Sequence, residues 1–333
     1  PVAGYLDLRQ AVCTKLLRDN GLAYTPEQIV VSTGAKQSIA NMVLAIVDAG
    51  DEVIIPTPYW VTYSEIVKLA GGTVRLVKTT LENGFKITPD QLRAAITPKT
   101  KLFMFSSPCN PTGAIYSKGE LEALAAIFKE NPQIFIMSDE IYEHINFTGE
   151  HCSIAQFDFL KDRVVVINGL SKGFAMTGWR VGYLAASLPI AKACDKIQGQ
   201  FTSATNSIAQ RAAIVALTGD LRPTEAMVAK FRQRREKIMQ LIREIPGVIC
   251  NEPPGAFYIF PDVKASFGKK APAGETIANA DDLCMYFLHT AHVSVVTGKA
   301  FGEANCIRIS FANNSENIEK GLKKIKDALA ALE

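Results

Sequence analysis

The 333-residue sequence lacks both a long apolar run and a block of like charge. No stretch approaches the ~18 apolar residues that a membrane-spanning helix needs. The net charge of +3 is too small to indicate nucleic acid or an acidic membrane surface as a partner. With 48% hydrophobic and 21% charged residues, the composition is that of an ordinary globular protein, and we predict neither a membrane nor a nucleic-acid partner.

Paired cysteines and the common nucleotide and metal motifs are missing as well. The seven cysteines are scattered, odd in number and never in Cys-x-x-Cys spacing, which favours reduced thiols in a cytoplasm over disulfides or a zinc site. The sequence contains no Gly-x-Gly-x-x-Gly, Walker A or His-Glu-x-x-His motif. His289 and His292 lie on one predicted helix without a cluster of further ligands, and His144 and His151 have no triad partner by spacing. We therefore predict no metal site.

Short apolar runs alternate with helical patterns through the first two thirds of the chain. Several runs are nearly continuous in β-branched and large apolar residues, which is typical of strands buried on both faces. This alternation predicts an α/β fold whose mostly parallel sheet is covered by helices on both faces. Polar and aromatic residues gather where the runs end, which is the edge at which such sheets bind ligands. The predicted strands lie within 26–31, 52–55, 73–77, 101–105, 134–137, 164–167 and 182–186.

The pattern changes after a long predicted helix over 224–245. Beyond it come short strands and two helices, without a return to the earlier alternation. We predict a large domain over 1–224 and a smaller α+β domain over 225–333. The predicted elements of the smaller domain are strands at 248–250, 255–260, 293–296 and 306–310, and helices at 281–292 and 314–332.

A glycine-rich loop over 169–180 carries a lysine and an arginine at the end of a predicted buried strand. Lys172 therefore lies where open α/β sheets bind ligands, and partial desolvation there would let it act as a nucleophile or form a Schiff base. Arg180 follows eight residues later and could hold a phosphate through a bidentate contact. On this motif alone, a solvated loop lysine is the more common interpretation.

Three other positions are informative in combination. The Thr-Gly-Ala-Lys junction at 33–36 precedes a predicted helix, so its backbone N–H groups favour a phosphate, although a simply capped helix explains it equally well. Asp139 ends an apolar strand, where a carboxylate needs a partner. Asn110 lies in Asn-Pro-Thr-Gly, which alone is an unremarkable turn sequence.

Six motifs, in this order along the chain, resemble those of class I aminotransferases of pyridoxal-phosphate fold type I. Each motif is weak alone, but the set is specific, covers essentially the whole chain and is most similar to the bacterial aspartate aminotransferases. The resemblance implies pyridoxal 5′-phosphate as cofactor and transamination between an amino acid and a 2-oxo acid by a ping-pong mechanism. The motifs are Ser-Thr-Gly-Ala-Lys-Gln at 32–37, Pro-Tyr-Trp at 58–60, Asn-Pro-Thr-Gly at 110–113, Ser-Asp-Glu-Ile-Tyr at 138–142, Ser-Lys at 171–172 with Thr-Gly-Trp-Arg at 177–180, and Arg-Ile-Ser at 308–310.

The resemblance assigns roles to the residues around the cofactor ring, with Lys172, Asp139 and Tyr142 as the catalytic residues. Lys172 would hold the cofactor as a Schiff base and, once displaced by substrate, move the proton at the substrate α-carbon. Asp139 would pair with the pyridine nitrogen and keep it protonated, so that the ring withdraws electrons. Tyr142 and Asn110 would hydrogen-bond the cofactor's 3-oxygen, and Trp60 would stack on the ring face.

The resemblance also implies a phosphate cradle within the large, cofactor-binding domain. The cradle would consist of the backbone amides of Gly34, Ala35 and Lys36 with the side chain of Arg180, and Ser171 would assist. Many relatives carry a serine three positions before the lysine, where this chain has Gly169. We therefore expect that one side-chain contact to the phosphate is missing.

The substrate contacts implied by the resemblance are Arg308 with Asn110 on the α-carboxylate, and Trp60 beside them. Holding that carboxylate selects which bond at the α-carbon breaks. In aspartate-type relatives the residue at Lys36 is associated with the distal carboxylate, which favours aspartate and glutamate as substrates. The alternatives are a Lys36 that only faces solvent, the use of prephenate or another amino acid, a related lyase, and a non-catalytic regulatory module.

Members of this family build their active sites at a dimer interface, which implies a homodimer with shared active sites. A tyrosine of the partner usually reaches the phosphate, and by alignment it would precede Pro1. The sequence opens without an initiator methionine, so we expect an N-terminal arm to be absent from this numbering. Because no signal-peptide pattern follows Pro1, we predict a cytoplasmic protein.

Overall fold

The main sheet of the computed structural model, which describes residues 1–149 and 151–333, contains seven strands. They are β1 (Ile29–Ser32), β2 (Glu52–Thr57), β3 (Thr73–Lys78), β4 (Thr100–Ser106), β5 (Phe135–Asp139), β6 (Val164–Gly169) and β7 (Gly182–Ala185). Their spatial order is β1-β7-β6-β5-β4-β2-β3. β7 runs antiparallel to β1 and β6, whereas the β2–β3, β2–β4, β4–β5 and β5–β6 pairs are parallel. The sheet is mostly parallel, as predicted.

Helices lie on both faces of this sheet. Helices α1 (Leu6–Asn20), α4 (Pro89–Ala95), α5 (Lys118–Glu130) and α7 (Ser207–Thr218) cover one face, and α2 (Ala35–Ile46), α3 (Thr62–Leu69) and α6 (Leu188–Phe201) cover the other. Neighbouring residues of β5 show this division, because Ile136 packs in the cluster with α1 and α5, and Met137 packs in the cluster with α2 and α6. The predicted two-sided helical cover is confirmed.

A smaller unit follows the main sheet. Helix α8 (Arg222–Arg243) leads into an antiparallel sheet of β8 (Tyr258–Ile259), β9 (Val296–Thr297) and β10 (Ile307–Ser310), with β10 in the middle. Helices α9 (Ala280–Tyr286) and α10 (Ser315–Ala330) pack with α8 around one apolar cluster. The smaller α+β unit is confirmed. The predicted boundary at residue 225 falls in the first turn of α8 and stays a prediction.

Two helical features differ from the sequence-based prediction. The sequence pattern does not reveal α3, because this helix has only eight residues and several of them are β-branched, while burial of Ile66 and Val67 stabilises it. The predicted helix over 281–292 ends as α9 at Tyr286 and continues as a π-helical turn, Phe287–Ala291. In the part of the chain that the structure describes, no helix is long and apolar enough to cross a membrane.

Three predicted strands differ from the structure, and the one predicted at 293–296 shares only Val296 with β9. At 248–250 the structure shows a single bridge, between Ile249 and Asp262, in place of a strand. At 255–260 the strand is confined to β8, because Ala256 has a φ of 56°. This left-handed backbone conformation lies outside the extended region, and the strand begins three residues later than predicted.

Candidate active site

A cavity of about 280 Å³ lies at the carboxyl ends of the parallel strands, between the main sheet and the smaller one. β4 and β5 deliver Ser106 and Asp139 to it, the loop after β6 delivers Lys172, and β10 delivers Arg308. Every predicted site residue except Gly34 lines this cavity, and Gly34 adjoins it through Arg180. The lining residues are Ala35, Lys36, Trp60, Tyr63, Ser106, Asn110, Asp139, Ile141, Tyr142, Ser171, Lys172, Thr177, Arg180, Tyr258 and Arg308.

The N-terminus of α2 and the side chain of Arg180 meet at Gly34. Helix α2 starts at Ala35 without a side-chain cap, so its first N–H groups are available to a ligand. A Cβ at Gly34 would lie 2.3 Å from Arg180 Nη2, which shows that the guanidinium rests against the glycine backbone. Arg180 Nη1 donates to the Thr177 carbonyl at 3.0 Å. Backbone donors and a guanidinium thus converge, as an anion site requires.

The structure gives a physical reason for glycine at position 169. A Cβ there would lie 2.8 Å from Gly182 Cα and 2.9 Å from the Val181 carbonyl oxygen. A serine at position 169 would therefore require the neighbouring backbone to shift. Ser171, by contrast, is buried and lines the cavity.

The carboxylate of Asp139 is buried and held by two donors. The Tyr63 hydroxyl donates to Oδ2 at 2.6 Å, and the Ile141 N–H donates to Oδ1 at 3.2 Å. Burial raises the pKa of Asp139 to about 6, against the opposite effects of these hydrogen bonds and of Lys172. A cationic partner next to this buried carboxyl group would stabilise its charged form.

Lys172 is partly buried in the loop after β6. Its Nζ lies 5.8 Å from the ring centroid of Tyr142 and 5.5 Å from that of Phe257. Burial lowers the pKa of Lys172, and the nearby guanidinium groups of Arg308 and Arg180 lower it further. A larger fraction of this amine is therefore neutral, and nucleophilic, than for an exposed lysine.

Arg308 is oriented by Asn110 and by aromatic rings. Its Nη1 donates to Asn110 Oδ1 at 2.9 Å, and its guanidinium carbon lies 4.6 Å from the Tyr258 ring centroid and 4.9 Å from that of Phe301. Its buried Nε has no hydrogen-bond partner within 1–149 and 151–333. The guanidinium thus keeps donor capacity for a planar carboxylate.

Trp60 and Lys36 form another part of the cavity wall. The Trp60 ring meets the Tyr63 ring edge-on, with centroids 5.8 Å apart. The Lys36 ammonium lies 4.9 Å from the Trp60 centroid, although the residue is largely exposed. Lys36 thus adds its charge to a cavity that Arg308, Lys172 and Arg180 also line.

Sequence reasoning missed Tyr63 and Tyr258. Tyr63 lies in the first turn of α3, and its N–H donates to the Trp60 carbonyl at 2.9 Å, so an identified α3 would have placed it beside Trp60. Tyr258 lies in a run that is read as an ordinary strand, and its hydroxyl lies 2.9 Å from that of Tyr142. No local signal reveals this contact, because Tyr142 belongs to a distant part of the sequence.

A buried polar network lies behind the segments that carry the site. Lys15 of α1 pairs with Glu143, which also accepts a hydrogen bond from Asn168 Nδ2 at 2.7 Å. Burial alone would raise the pKa of Glu143, but Lys15 holds it well below its usual range. His151 Nε2 lies 2.9 Å from Glu140 Oε2. Glu140 is thus a partner for His151 that the sequence does not predict. The oxygens of Glu143 and Glu140 are engaged by protein donors, which makes this cluster a hydrogen-bond network.

Comparisons with known proteins agree with the geometry of this cavity. The family model of aminotransferase class I and II matches residues 1–325. The bifunctional aspartate aminotransferase and glutamate/aspartate-prephenate aminotransferase of Petunia hybrida is 44% identical, over 100% of this chain and 70% of the relative. The aspartate/prephenate aminotransferase of Cereibacter sphaeroides is also 44% identical, over 99% of this chain and 83% of the relative.

A solved structure is similar over the same extent. The crystal structure of the aspartate aminotransferase from Rhizobium meliloti superposes with a TM-score of 0.97 at 40% identity, and the match covers 100% of this chain and 84% of that one. The sequence match and the structural match therefore include both sheets and every residue of the cavity. This chain belongs to the class I and II aminotransferase family.

Proposed function

We propose that this aminotransferase moves amino groups between aspartate or glutamate and 2-oxo acids by a ping-pong mechanism, with Lys172 as its central catalytic residue. The observation that carries the proposal is that one cavity combines Lys172, Asp139 and Arg308. An amine is needed to bind and release a carbonyl group, a carboxylate to pair with a cationic ring nitrogen, and a guanidinium to hold the carboxylate of an amino acid.

The enzyme's cofactor is pyridoxal 5′-phosphate, and the donor groups of the cavity fit it. The α2 N-terminus and Arg180 meet at Gly34, where a Cβ would occupy space beside the guanidinium, so an anionic phosphate suits this end. Asp139 has a pKa raised to about 6 by burial, so a protonated ring nitrogen would stabilise its carboxylate. The residues that would hold the cofactor are Gly34, Ala35, Lys36, Trp60, Asn110, Asp139, Tyr142, Ser171, Lys172 and Arg180.

The chain's own groups supply proton movement and orientation. When bound, pyridoxal phosphate supplies an aldehyde that joins amines and a ring that withdraws electrons from the substrate α-carbon. Lys172 would hold the cofactor through Nζ and, when released, accept and return the proton of the α-carbon. The lowered pKa of Lys172, caused by burial and by Arg308 and Arg180, keeps more of its amine ready for this step. Tyr142 would hold the cofactor's 3-oxygen through its buried hydroxyl.

Arg308 and Asn110 would fix the substrate's α-carboxylate. Because Asn110 accepts from Nη1, the guanidinium is held in one orientation, and its remaining N–H groups would donate to the substrate. A carboxylate held in this way fixes the rotation about the α-carbon, which favours loss of the proton over loss of carbon dioxide.

Lys36 would select substrates with a second carboxylate. Its ammonium lies on the Trp60 ring at the same cavity as Arg308, so the two cations can hold the two ends of a dicarboxylate. The Petunia and Cereibacter relatives support this choice, because aspartate, glutamate and prephenate each carry two carboxylates. Prephenate is therefore the second candidate substrate.

The test of this function is amino transfer from glutamate to oxaloacetate by cofactor-loaded protein, followed by kinetics with aspartate and alanine. Lys36→Met should lower kcat/KM for aspartate by about 10- to 100-fold, the value of one charge-assisted hydrogen bond, and change the value for alanine little. The matched control is Lys101→Met, because Lys101 Nζ also lies over a ring, 5.5 Å from the Phe135 centroid, but does not line the cavity.

Two outcomes would contradict the proposal. A protein that retains its cofactor but transfers no amino group would favour a lyase or a non-catalytic module. An equal loss of activity toward aspartate and alanine in Lys36→Met would contradict distal-carboxylate recognition and leave Lys36 with the phosphate alone.

The proposal includes a homodimer with shared active sites. Ile208 and Val215 lie on one face of α7 and are 73% and 71% exposed, and Leu6 of the adjoining α1 is 52% exposed. Exposed apolar side chains on adjacent helices are typical of an interaction surface. The loop before α7 reaches the phosphate cradle, since Thr205 Oγ1 donates to the Arg180 carbonyl at 3.1 Å. A partner on this face would therefore border the site.

Light scattering during size exclusion tests the dimer. Ile208→Glu should yield monomers with weaker cofactor binding, because it places a charge in the proposed interface. The matched control is Leu69→Glu, since Leu69 is 75% exposed on α3, away from α7. A monomeric wild-type protein at micromolar concentration would contradict this part of the proposal.

The proposal also includes the domain division and the location of the protein. Residues 1–224 would form the cofactor-binding domain and 225–333 the small domain, because α8 packs with the smaller sheet in one apolar cluster. The scattered cysteines favour the reducing cytoplasm. Limited proteolysis between the two units and microscopy of the tagged full-length protein would test these two points.

A further inference from the structure

Tyr258 lies between the two halves of the active site. It belongs to β8, where it pairs with Ser310, two residues from Arg308. The guanidinium carbon of Arg308 lies 4.6 Å from the Tyr258 ring centroid. The Tyr258 hydroxyl lies 2.9 Å from that of Tyr142, which follows β5 in the main sheet. One buried side chain thus contacts both the arginine of the smaller sheet and the tyrosine of the main sheet.

The hydroxyl pair has two possible arrangements of protons. Each hydroxyl carries one proton, and a single hydrogen bond between them uses one of the two protons. If Tyr142 donates to Tyr258, Tyr142 has no proton left for another acceptor. If Tyr258 donates to Tyr142, the proton of Tyr142 is free to point into the cavity. The direction of this one bond therefore decides whether Tyr142 can act as a donor to a ligand.

We propose that Tyr258 is a positioning residue that donates to Tyr142, turns the Tyr142 proton toward the cofactor's 3-oxygen, and makes this donation depend on the charge at Arg308. A cation on the face of the Tyr258 ring stabilises negative charge on its oxygen and so strengthens Tyr258 as a donor. A substrate carboxylate on Arg308 offsets that cation and weakens the donation. This inference rests on the proposed function, in which Arg308 binds the carboxylate and Tyr142 the 3-oxygen.

The other charged groups near the pair are accounted for. Asp139 of β5 and Lys172 of the loop after β6 face Tyr142 and line the same cavity, while Arg308 of β10 faces Tyr258. A Tyr258→Phe substitution leaves all three charges in place and keeps the ring beneath Arg308. It removes the hydroxyl alone, so its effect isolates the donation to Tyr142.

The experiment is a pH titration of the cofactor's visible absorption band in the holoenzyme. A donor on the 3-oxygen stabilises negative charge there and lowers the midpoint of the band. Tyr142 keeps its own hydroxyl in Tyr258→Phe, so the midpoint should rise by less than the roughly 0.4 to 1 pH unit that loss of a whole hydrogen bond to the 3-oxygen would give. The matched control is Tyr286→Phe, which removes a buried hydroxyl that donates to the Ala328 carbonyl at 3.0 Å, outside the cavity.

Three further measurements separate positioning from a structural role. A non-reacting dicarboxylate should raise the wild-type midpoint, and raise it less in Tyr258→Phe. The route through Tyr258 is then lost, while the effects of Arg308 on Asn110 and on Lys172 remain. In steady state, Tyr258→Phe should lower kcat by about 2- to 10-fold and leave KM nearly unchanged, since Arg308 keeps its ring platform. In a Tyr142→Phe background, Tyr258→Phe should no longer move the midpoint.

The inference is overturned if Tyr258→Phe has the wild-type midpoint and the wild-type response to the dicarboxylate. It is also overturned if the midpoint shift persists in the Tyr142→Phe background, because Tyr258 would then act by another route. A wild-type protein with a normal band and normal amino transfer, combined with either result, contradicts this inference alone. A wild-type protein that forms no band contradicts the proposed function and this inference with it.

Discussion

Replacing Asp139 by asparagine should stabilise the cofactor-free protein at neutral pH and weaken its binding of the cofactor. The carboxyl of Asp139 is buried, and its pKa in the folded protein is raised from the ordinary 3.8 to about 6. Because the folded state holds this proton more tightly than the unfolded state, it binds more protons between those two pH values. The free energy of unfolding therefore falls as pH rises from about 4 to about 6, and the loss persists above that range.

The size of the effect follows from the two pKa values. The rise from 3.8 to about 6 corresponds to a loss of at most about 3 kcal/mol above pH 6, at roughly 1.36 kcal/mol per pH unit. Asparagine carries no charge, so Asp139→Asn avoids this loss. Its single oxygen can accept from the Tyr63 hydroxyl, but its NH2 group then replaces the oxygen that accepts from the Ile141 N–H. Loss of the acceptor for the Ile141 N–H reduces the gain by about 1 kcal/mol or more, so we expect a net gain of about 1–2 kcal/mol.

The assay is urea unfolding of the cofactor-free proteins between pH 4.5 and 8, followed by circular dichroism. The difference between wild type and Asp139→Asn should grow as pH rises and level off above about pH 6.5. The control is Asp90→Asn, because the Asp90 side chain is 97% exposed and its loss should change stability by less than about 0.5 kcal/mol at every pH. With cofactor present, the wild-type protein should be more stable than Asp139→Asn, since only the carboxylate pairs with a protonated ring nitrogen. A pH-independent difference, or a less stable cofactor-free Asp139→Asn protein at pH 7, would refute this reasoning.

Other substitutions test the phosphate cradle and the buried network. Gly34→Ala should weaken cofactor binding roughly 5- to 100-fold, because its φ of 83° and its contact with Arg180 both disfavour a side chain. Gly21→Ala is the control, because Gly21 has a φ of 65° but open space around its Cβ position. If Gly34→Ala and wild type bind the cofactor equally in a fluorescence titration, the phosphate cradle is contradicted. Lys15→Met should lower the free energy of unfolding by about 3–5 kcal/mol at pH 7, because it leaves a buried carboxylate unpaired. The control is Lys320→Met, which breaks an exposed ion pair and should lower the free energy of unfolding by at most about 0.5 kcal/mol in the same urea assay. An equally small loss of stability in Lys15→Met would contradict the importance of the buried network.

The main sheet and much of the site are predictable from sequence because the signals are local. Strands such as β6 are continuous apolar runs, and the residues that follow them share one edge of a parallel sheet. Lys172 and Asp139 are therefore found from their position after such runs. The structure places both in one cavity, and their catalytic roles remain predictions that the experiments above address.

The unpredicted features depend on contacts between distant parts of the chain. Lys15 belongs to the mostly apolar buried face of α1, and its partner Glu143 lies in another segment. The sequence does not connect Tyr258 with the site, because only the folded β8 places its hydroxyl beside that of Tyr142. Placing Tyr63 in the site requires knowledge of α3, a short helix that burial stabilises more than helix propensity does. Periodicity shows which face is buried, but it does not show which partner meets that face.

The most direct test of the central claim is to identify the lysine that binds the cofactor. Protein loaded with pyridoxal 5′-phosphate, reduced with borohydride and digested, should yield one modified peptide, with the cofactor on Lys172. Lys172→Ala should lose the visible absorption band and show no such peptide, while Lys101→Met should retain both. A modified lysine elsewhere in the chain, or no modification in protein that retains the cofactor, would contradict the account.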